Sequence, residues 1–382
     1  FCIYPAPGTM FMVKACYPEW STQAAPIILA DPWAYGRPSR FLPQSEALES
    51  NRRKLLVGME VPKTAGIPFI YAGGTDPVVA GADPEFCGKN TVMIAQVTDG
   101  HWIFYEGPTY SKQDHADYWK WYTWANRKII EGDLEAWREP RENPEGWTEQ
   151  IAKHAGAAGK LQPPEVTGNA VEYPLVKMRK ENLVVIAARA GQAVEMALKN
   201  QPVGKYQDAL VWRLYNVSMR ELAAGNIPPN EAGLASFTPS ETGLYLMGLS
   251  AGGNAYSIVS SNAPVGLYAA EGLKLIGGAD HLYFQVPQGA AEITLTSKGD
   301  PNENAKLRVL GPDGTERASG QTSAAKNPVS LTVPVGEDSG KVWSVTVAKP
   351  DEGAFEDNVL TAGVGLAPIF SLVPGDVFGI GQ

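Results

Sequence analysis

The chain has 382 residues, of which 44% are hydrophobic and 19% are charged, and its formal net charge is -9. A single hydrophobic core rarely grows to that length, so we expect two or three domains. The composition is typical of a globular protein, and no segment has the roughly 20 consecutive apolar residues that a membrane-spanning helix needs. The excess of acidic over basic residues argues against a nucleic-acid-binding surface and is compatible with a neutral partner such as a sugar.

The first 150 residues alternate short apolar runs with stretches typical of helices. The predicted strands cover residues 27–31, 67–72 and 102–106, and the predicted helices cover 45–59, 84–97 and 114–130. In the helices, Ser45 and Asp83 are the expected N-caps, and Pro84 takes the first helical position. Each unit takes roughly 35 to 40 residues, which is the length of consecutive βα crossovers. A further unit is expected to open the chain at Phe1.

Short apolar strands separated by helices indicate a parallel sheet that is buried on both faces. Two arrangements fit this pattern, namely an open doubly wound sheet and an eight-stranded barrel. A complete barrel takes about 250 residues, so residues 1–150 are predicted to be the C-terminal part of a (β/α) barrel. The open sheet stays possible, although no GxGxxG or GxxxxGK[ST] loop follows a strand.

The character of the sequence changes after residue 150. Residues 151–182 contain the alanine- and glycine-rich run 155–159 and Pro163-Pro164, and they are predicted to be a linker. Beyond them, short strands alternate with turn signals, as in β-sandwiches. We expect one sandwich module over 183–268 and a second over 269–382. The predicted fold class is therefore multidomain, α/β plus all-β: a partial parallel (β/α) barrel followed by two β-sandwich modules.

Acidic and aromatic residues follow the predicted strands of the first region. Ligands of parallel βα folds bind at the carboxyl ends of the strands, and a pair of carboxylates there can hydrolyse a glycosidic bond. Asp31 and Glu106 are the predicted catalytic pair. The predicted substrate-binding residues are Trp33, Tyr71, Asp76, Tyr105, Tyr110 and His115. Tyr105 is a weaker candidate than Trp33 and Tyr71, because adjacent strand residues point to opposite faces and Glu106 is expected to face the interior. The alternative is that the two acids cap loops or pair with basic side chains.

Cysteines and acidic loops give no firm metal site. Cys2, Cys16 and Cys87 lack the spacing of a zinc site, so we expect them to be buried apolar residues. Residues 300–304 alternate oxygen-bearing side chains as calcium loops do, but a turn is the preferred interpretation. Asn216-Val217-Ser218 matches the short pattern for N-glycosylation. No metal and no cofactor are predicted.

Three segments carry a family resemblance: 65–74 (AGIPFIYAGG), 82–90 (ADPEFCGKN) and 99–108 (DGHWIFYEGP). Together they resemble the C-terminal half of glycoside-hydrolase-like (β/α)8 barrels of large exported bacterial proteins, and the resemblance covers roughly residues 1–140. It implies contact with polysaccharide and a location that is extracellular, periplasmic or at the cell surface. The chain starts at Phe1 without an initiator Met or a signal-peptide core, so an export signal and further barrel strands are expected upstream in the same polypeptide.

Two functions of different classes are consistent with these features. The first is hydrolysis of polysaccharide by paired carboxylates, and the second is a non-catalytic carbohydrate-binding or cell-surface structural role. A serine hydrolase on an open sheet is disfavoured, because residues 249–253 do not form a GxSxG elbow. The predicted partners are polysaccharide or oligosaccharide and the upstream part of the same chain, with no nucleic acid and no membrane insertion.

Overall fold

The computed structural model describes residues 2–3, 7–31, 44–75, 83–103, 116–139, 147–155, 161–300 and 302–380. They form two compact units, Phe1–Pro144 and Glu145–Gln382. Within those described residues, no helix has both the length and the apolar character needed to cross a membrane.

The first unit contains a parallel sheet. Its described strands are β1 (Cys2–Ile3), β2 (Ile27–Asp31), β3 (Phe69–Thr75) and β4 (Gly100–Ile103), hydrogen-bonded in the order β1-β2-β3-β4. All three neighbouring pairs are parallel. The prediction of adjacent parallel strands near residues 27, 67 and 102 is therefore confirmed, and so is the additional βα unit at the start of the chain.

Helices connect the strands of this sheet. They are α1 (Pro7–Cys16), α2 (Ser45–Ala65), α3 (Pro84–Val97) and α4 (Ala116–Glu131), with 3-10 turns at Pro18–Trp20 and Ala136–Arg138. Asp83 caps α3 as predicted, because its Oδ1 accepts a hydrogen bond from the Phe86 amide at 3.1 Å. The prediction for α2 is wrong by one residue, since Gln44 is the N-cap and Ser45 is already helical.

The core of the first unit lies between the sheet and the helices, and Ile27, Leu29 and Phe86 are among its buried residues. Cys87 is fully buried in this core, as expected of a small apolar side chain. Cys16 is exposed, so the expectation of burial is wrong for this residue. Cys16 is the last residue of α1 and lies in a run of exposed residues, 14–19, so this end of the helix faces solvent and not the core.

The second unit begins with α5 (Trp147–His154) and is otherwise built of strands. Its strands are β5 (Leu161–Gln162), β6 (Val171–Glu172), β7 (Met178–Ala188), β8 (Val194–Gln201), β9 (Leu210–Tyr215), β10 (Glu221–Ile227), β11 (Ala232–Phe237), β12 (Gly243–Ser261), β13 (Val265–Tyr268), β14 (Leu273–Ile276), β15 (Ala279–Gln285), β16 (Glu292–Gly299), β17 (Lys306–Leu310), β18 (Glu316–Gln321), β19 (Val329–Pro334), β20 (Val342–Ala348), β21 (Asp357–Ala362), β22 (Ile369–Ser371) and β23 (Gly379–Ile380). Two 3-10 turns lie at Gly336–Asp338 and Pro374–Asp376.

Strands β6 to β22 pair into one antiparallel, nearly closed, barrel-like sheet. Its longest strand, β12, has 19 residues and an irregular register between Ser250 and Ala255. Before this irregularity β12 pairs with β7 and β9. After it, β12 pairs with β7 at Ala255 and Tyr256 and gains β8 and β6 as partners. A bulged strand that changes partners in this way bends the sheet and helps it to close. One continuous core fills its interior and includes Trp212, Phe284 and Trp343.

The predicted fold class, a partial parallel (β/α) barrel followed by two β-sandwich modules, is wrong. The parallel sheet is a small part of the described structure, and most of the chain forms the antiparallel barrel-like sheet. The repeat of strand and helix specifies parallel pairing, but it does not specify closure, which depends on strand number and stagger. Likewise, short strands with turn signals specify antiparallel pairing without showing that β13 pairs with β22 and β7 with β14.

Candidate functional site

The carboxyl edge of the parallel sheet is where the sequence predicts the catalytic site. Asp31 is the last residue of β2, and its backbone is in register with Gly73 of β3. The backbone of Asp31 therefore lies at the edge where ligands of parallel βα folds bind. Six predicted site residues lie outside the described part of the chain: Trp33, Asp76, Tyr105, Glu106, Tyr110 and His115. Their roles, and that of Asp31, stay predictions.

Tyr71 is the one predicted site residue whose side chain is described. Its ring is fully buried among apolar residues and meets Phe69 edge-on, with 6.4 Å between the ring centroids. Its backbone is tied to Asp99, whose Oδ2 accepts from the Tyr71 amide at 2.8 Å and whose amide donates to the Tyr71 carbonyl at 2.9 Å. The structure therefore places this ring in the core of the first unit, and its role as a sugar platform stays a prediction.

Buried polar side chains lie next to this edge. Thr75, the last residue of β3, accepts a hydrogen bond from Asn90 at 3.0 Å, and Asn90 in turn accepts one from Asn51 at 3.2 Å. Lys89 and Glu85 form an ion pair at 2.8 Å, and their side chains are 2% and 5% exposed. Burying so many polar groups is costly unless they are paired, and such concentrations are typical of functional sites.

A second candidate site, which the sequence did not indicate, lies on the second unit. Tyr206 is 43% exposed and lies in the loop between β8 and β9. Its ring rests against Gly253 of β12, where a Cβ atom would overlap the ring. We call the surface formed by Tyr206, Gly253, Arg179 and Asp357 the ring platform. An exposed ring backed by glycine presents a flat apolar face with little freedom to move.

Arg179 joins the parts of the ring platform. Its Nε donates to the Gly253 carbonyl at 2.9 Å, and its Nη1 donates to both carboxylate oxygens of Asp357, at 3.1 and 2.9 Å. The guanidinium carbon lies 5.6 Å from the centroid of the Tyr206 ring, within the range of a cation–π interaction. One side chain thus links β7, β12 and β21 and contacts the aromatic ring.

Two buried asparagines hold the loop that carries Tyr206. The Nδ2 atoms of Asn200 and Asn254 both donate to the Asp208 carbonyl, at 3.0 and 2.8 Å. The Asp208 carboxylate accepts from the Gly253 amide at 2.9 Å. Because these contacts anchor the loop next to Tyr206, the position of the ring is set before any ligand binds, which lowers the entropic cost of binding.

Asp357 of the ring platform and two neighbouring carboxylates, Asp300 and Glu303, offer oxygen atoms within 4.8 Å of one another. Burial raises the pKa of Glu303, the hydrogen bond from the Asp357 amide opposes this effect, and the neighbouring acids Asp357, Glu356 and Asp300 raise the pKa further. Two of the three acids have a cationic partner, because Lys180 lies 3.3 Å from Asp300 and Arg179 lies 2.9 Å from Asp357. The Glu303 amide also donates to the Asp300 carbonyl at 2.9 Å, as in the turn that the sequence predicts. Asp300 and Asp357 are therefore each paired with a basic side chain, which offsets their negative charge at the ring platform.

The sequence did not predict the ring platform, because the residues that form it are far apart in the chain. Arg179, Tyr206, Gly253 and Asp357 belong to four separate segments and match no motif. A weak signal was present in Gly252-Gly253, since adjacent glycines within a strand often mark a close approach of another group. Tyr206 also lies in a loop that begins Pro202-Val203-Gly204, where an aromatic residue has no adjacent apolar run to join.

No family model and no curated protein matches the sequence. Among solved structures, the tandem CBM51 modules of the family 98 glycoside hydrolase Sp3GH98 from Streptococcus pneumoniae SP3-BS71 align with 10% identity over 60% of this chain and 92% of that chain, with a TM-score of 0.18. The M60 catalytic domain with two CBM51 domains of Clostridium perfringens ZmpB aligns with 7% identity over 53% of this chain and 36% of that chain, also at 0.18. Isomalto-dextranase of Arthrobacter globiformis T6 aligns with 12% identity over 77% and 50% of the two chains, at 0.16. Similarity this low supports no inference about this chain, so its function has to be inferred from the geometry of its sites.

Proposed function

We propose that this protein binds carbohydrate through the ring platform of its second unit. The observation that carries the proposal is the exposed ring of Tyr206, held against Gly253 with the Arg179–Asp357 pair beside it. A sugar ring has one apolar C–H face and a rim of hydroxyl groups. An aromatic ring can stack on the C–H face of the sugar. The hydroxyl groups can bind a carboxylate, which accepts hydrogen bonds, and a guanidinium, which donates them.

The charges on the ring platform favour a neutral ligand or one with hydroxyl groups. Arg179 and Asp357 neutralise each other, and their side chains are 13% and 15% exposed. Hydrogen bonds to charged groups are stronger than those between neutral groups, so a hydroxyl that reaches either member of the pair gains binding energy. The anchored loop keeps this arrangement in place without a conformational change.

Isothermal titration calorimetry with dextran, soluble starch, galactomannan and xylan tests the proposal. Binding of at least one of these polysaccharides is expected, and Tyr206→Ala should weaken it by about tenfold, the value of one stacking contact. Tyr17→Ala is the matched control, because Tyr17 is also exposed and lies on the other unit. Equal affinity of wild type and Tyr206→Ala would rule out the ring platform as the binding site.

A second candidate function is hydrolysis of polysaccharide outside the cytoplasm at the carboxyl edge of the first unit, with Glu106 and Asp31 as the paired carboxylates. The supporting observation is the backbone position of Asp31 at the end of β2, in register with Gly73 of β3, which precedes the buried, hydrogen-bonded Thr75 by two residues. One carboxyl group would protonate the leaving oxygen, and the other would act as nucleophile or base.

Release of reducing ends from the same four polysaccharides tests the hydrolytic function. Glu106→Gln and Asp31→Asn should each lower turnover by orders of magnitude and leave the melting temperature unchanged, because each removes a charge with little change in volume. Activity that survives both substitutions would exclude this pair. Fractionation of the native host would test the location outside the cytoplasm.

A further inference from the structure

The barrel-like sheet of the second unit contains two halves with the same pattern of strand pairing. In the first half, β7 and β9 pair with the beginning of β12, and β8 pairs with its end. In the second half, β15 and β17 pair with β20, and β16 pairs with β21. The outer pairs recur as well, since β9–β10 and β8–β11 correspond to β17–β18 and β16–β19. Strands β20 and β21 therefore correspond to the two ends of β12.

The ring platform uses two connecting segments of the first half, and both have a counterpart in the second half. Tyr206 belongs to the connection between β8 and β9, and Gly253 belongs to the irregular segment in the middle of β12. The counterparts are residues 300–305, which connect β16 to β17, and residues 349–356, which connect β20 to β21. Because the strand pairing is the same, these two segments form the surface of the second half that is equivalent to the ring platform.

Asn304 has the position in the second half that Tyr206 has in the first. A Cβ atom on Gly353 would overlap the Asn304 side chain. The same relation holds between Gly253 and the Tyr206 ring. The main-chain amide of Asn304 also donates to the Ala354 carbonyl at 2.7 Å, which holds the two segments together. In each half, a side chain of the first segment thus lies against a glycine of the second.

The Asn304 side chain presents a hydrogen-bond acceptor at the surface. Its Nδ2 donates to the Glu352 carbonyl at 3.1 Å, an exposed contact, and in the described part of the chain this is the one hydrogen bond of the side chain. A carbonyl oxygen only accepts hydrogen bonds, so the amide nitrogen of Asn304 has to face Glu352. The oxygen, Oδ1, is therefore the atom that is available to a ligand.

The segment that carries Asn304 borders the ring platform. Glu303, the residue before Asn304, accepts a hydrogen bond from the Asp357 amide at 2.6 Å through its Oε2. The Asp357 carboxylate in turn accepts from Arg179 of the ring platform. Asp357 starts β21 of the second half, whereas Arg179 and Tyr206 belong to the first half. A ligand that contacts these three side chains therefore lies across the junction of the two halves.

We propose that Asn304 forms a second subsite beside the ring platform and that the ligand is an oligosaccharide chain. One sugar unit stacks on Tyr206, and a later unit of the same chain donates a hydroxyl hydrogen bond to Asn304 Oδ1. An amide in the position where the first half has an aromatic ring favours recognition of a hydroxyl group over stacking. This assignment rests on carbohydrate binding at the ring platform, for which it names the length of the ligand and a residue that selects it.

Ligands of different length test the second subsite. Calorimetry with the full chain compares isomaltotetraose, maltotetraose, mannotetraose and xylotetraose with glucose, mannose and xylose. A tetrasaccharide that binds should bind more tightly than its monosaccharide, because only the longer ligand reaches both subsites. Asn304→Ala should weaken tetrasaccharide binding about fivefold, as expected for one neutral hydrogen bond, and leave monosaccharide binding unchanged. Equal affinity of the monosaccharide and the tetrasaccharide, or unchanged tetrasaccharide affinity in Asn304→Ala, overturns the assignment.

Gln288→Ala is the matched control. Gln288 is an exposed amide of the same half, in the connection between β15 and β16, and thus at the opposite end of β16 from Asn304. Like Asn304, it lies against a glycine, Gly340, and its Nε2 donates one hydrogen bond, to Ser339 at 3.4 Å. Gln288→Ala should bind every probe like the wild type. A loss equal to that of Asn304→Ala would show that the effect is not specific to the second subsite and would overturn the assignment.

Asn304→Asp separates contact with the ligand from support of the loop. Both Asn304→Ala and Asn304→Asp lose the hydrogen bond to Glu352, but aspartate keeps an acceptor oxygen. The tetrasaccharide affinity of Asn304→Asp should therefore stay close to that of the wild type. An equal loss in both variants would attribute the effect to the loop and overturn the assignment.

Tyr206→Ala distinguishes failure of the second subsite from failure of the ring platform. Where a polysaccharide binds and its tetrasaccharide does not, the variants are compared on dextran, soluble starch, galactomannan or xylan. If Tyr206→Ala weakens binding and Asn304→Ala does not, the ring platform stands and the second subsite fails. If the wild type binds none of the polysaccharides or tetrasaccharides, both fail.

Discussion

Gly253 and Tyr206 are in direct contact, and a Cβ atom on Gly253 would overlap the Tyr206 ring. Gly253→Ala should therefore push the ring away from β12 and weaken binding of the polysaccharide found by calorimetry. The expected loss is about tenfold, comparable with that of Tyr206→Ala, because both substitutions remove the same stacking surface.

Gly243→Ala is the control for this prediction. Gly243 belongs to the same strand, and a Cβ atom added there would meet nothing within 4 Å. The control should bind like the wild type. Equal affinity of Gly253→Ala and Gly243→Ala would show that the ring position is not required for binding.

The Arg179–Asp357 pair should stabilise the second unit, because it joins β7 to β21 and is mostly buried. Asp357→Asn removes one charge and leaves the guanidinium without its counter-ion. We expect a loss of about 1.5–3 kcal/mol in the free energy of unfolding, the usual range for a hydrogen bond to a charged group. Hydrogen exchange of the second unit at increasing urea concentrations measures this change in the free energy of unfolding.

An exposed ion pair provides the comparison. Lys63 and Glu60 lie 2.9 Å apart with side chains that are 53% and 65% exposed. Glu60→Gln should change stability by less than about 1 kcal/mol, because water and salt screen such pairs. If Asp357→Asn costs no more than Glu60→Gln, the pair does not stabilise the sheet.

Asp376 should make the second unit less stable as pH rises above 3.8. Burial raises the pKa of this carboxyl above its ordinary value of 3.8, against the opposing hydrogen bond from Tyr173. Between 3.8 and the folded pKa, the folded state binds more protons than the unfolded state, so stability falls as pH rises. The Tyr173 hydroxyl donates to the Asp376 carboxylate at 2.6 Å, and Asp376→Asn keeps an oxygen that can accept this hydrogen bond. Because asparagine does not titrate, the substitution should remove the fall in stability above pH 3.8.

Thermal unfolding of the second unit across pH 4 to 7 measures this effect. The comparison is the difference between wild type and Asp376→Asn at each pH, which removes contributions from other groups. A difference that does not vary with pH would contradict a raised pKa for Asp376.

His101 should make the first unit less stable as pH falls, which is the opposite of the pH dependence expected from Asp376. Burial lowers the pKa of this imidazole below 6.5, and a hydrogen bond with Asn126 only partly opposes that effect. Below pH 6.5 the unfolded state binds more protons, so the first unit should lose stability as pH falls from 6.5 to the folded pKa. His101→Gln should remove that loss, whereas His281→Gln, an exposed residue of the other unit, should not. Unfolding of the first unit in each variant at pH 5 and pH 8 decides between these outcomes.

Local chemistry determined the parts of the fold that the sequence predicts correctly. The apolar runs and intervening helices required a parallel sheet, and Asp83-Pro84 marked the start of α3, because both depend on neighbouring residues. Antiparallel strands after residue 183 were likewise predictable from alternating side chains and turns. For the candidate sites, the sequence placed Asp31 at the end of its strand.

Tertiary structure alone decided how those elements close and where the side chains meet. Residues 243–249 and 254–260 lie on either side of a glycine-rich segment, yet they form the single strand β12, whose register with its neighbours differs between the two sides of that segment. Gln44 and Asp83 are 39 positions apart in the chain, and the ring platform joins four separate segments. Such contacts depend on strand register and helix placement, which no local pattern encodes.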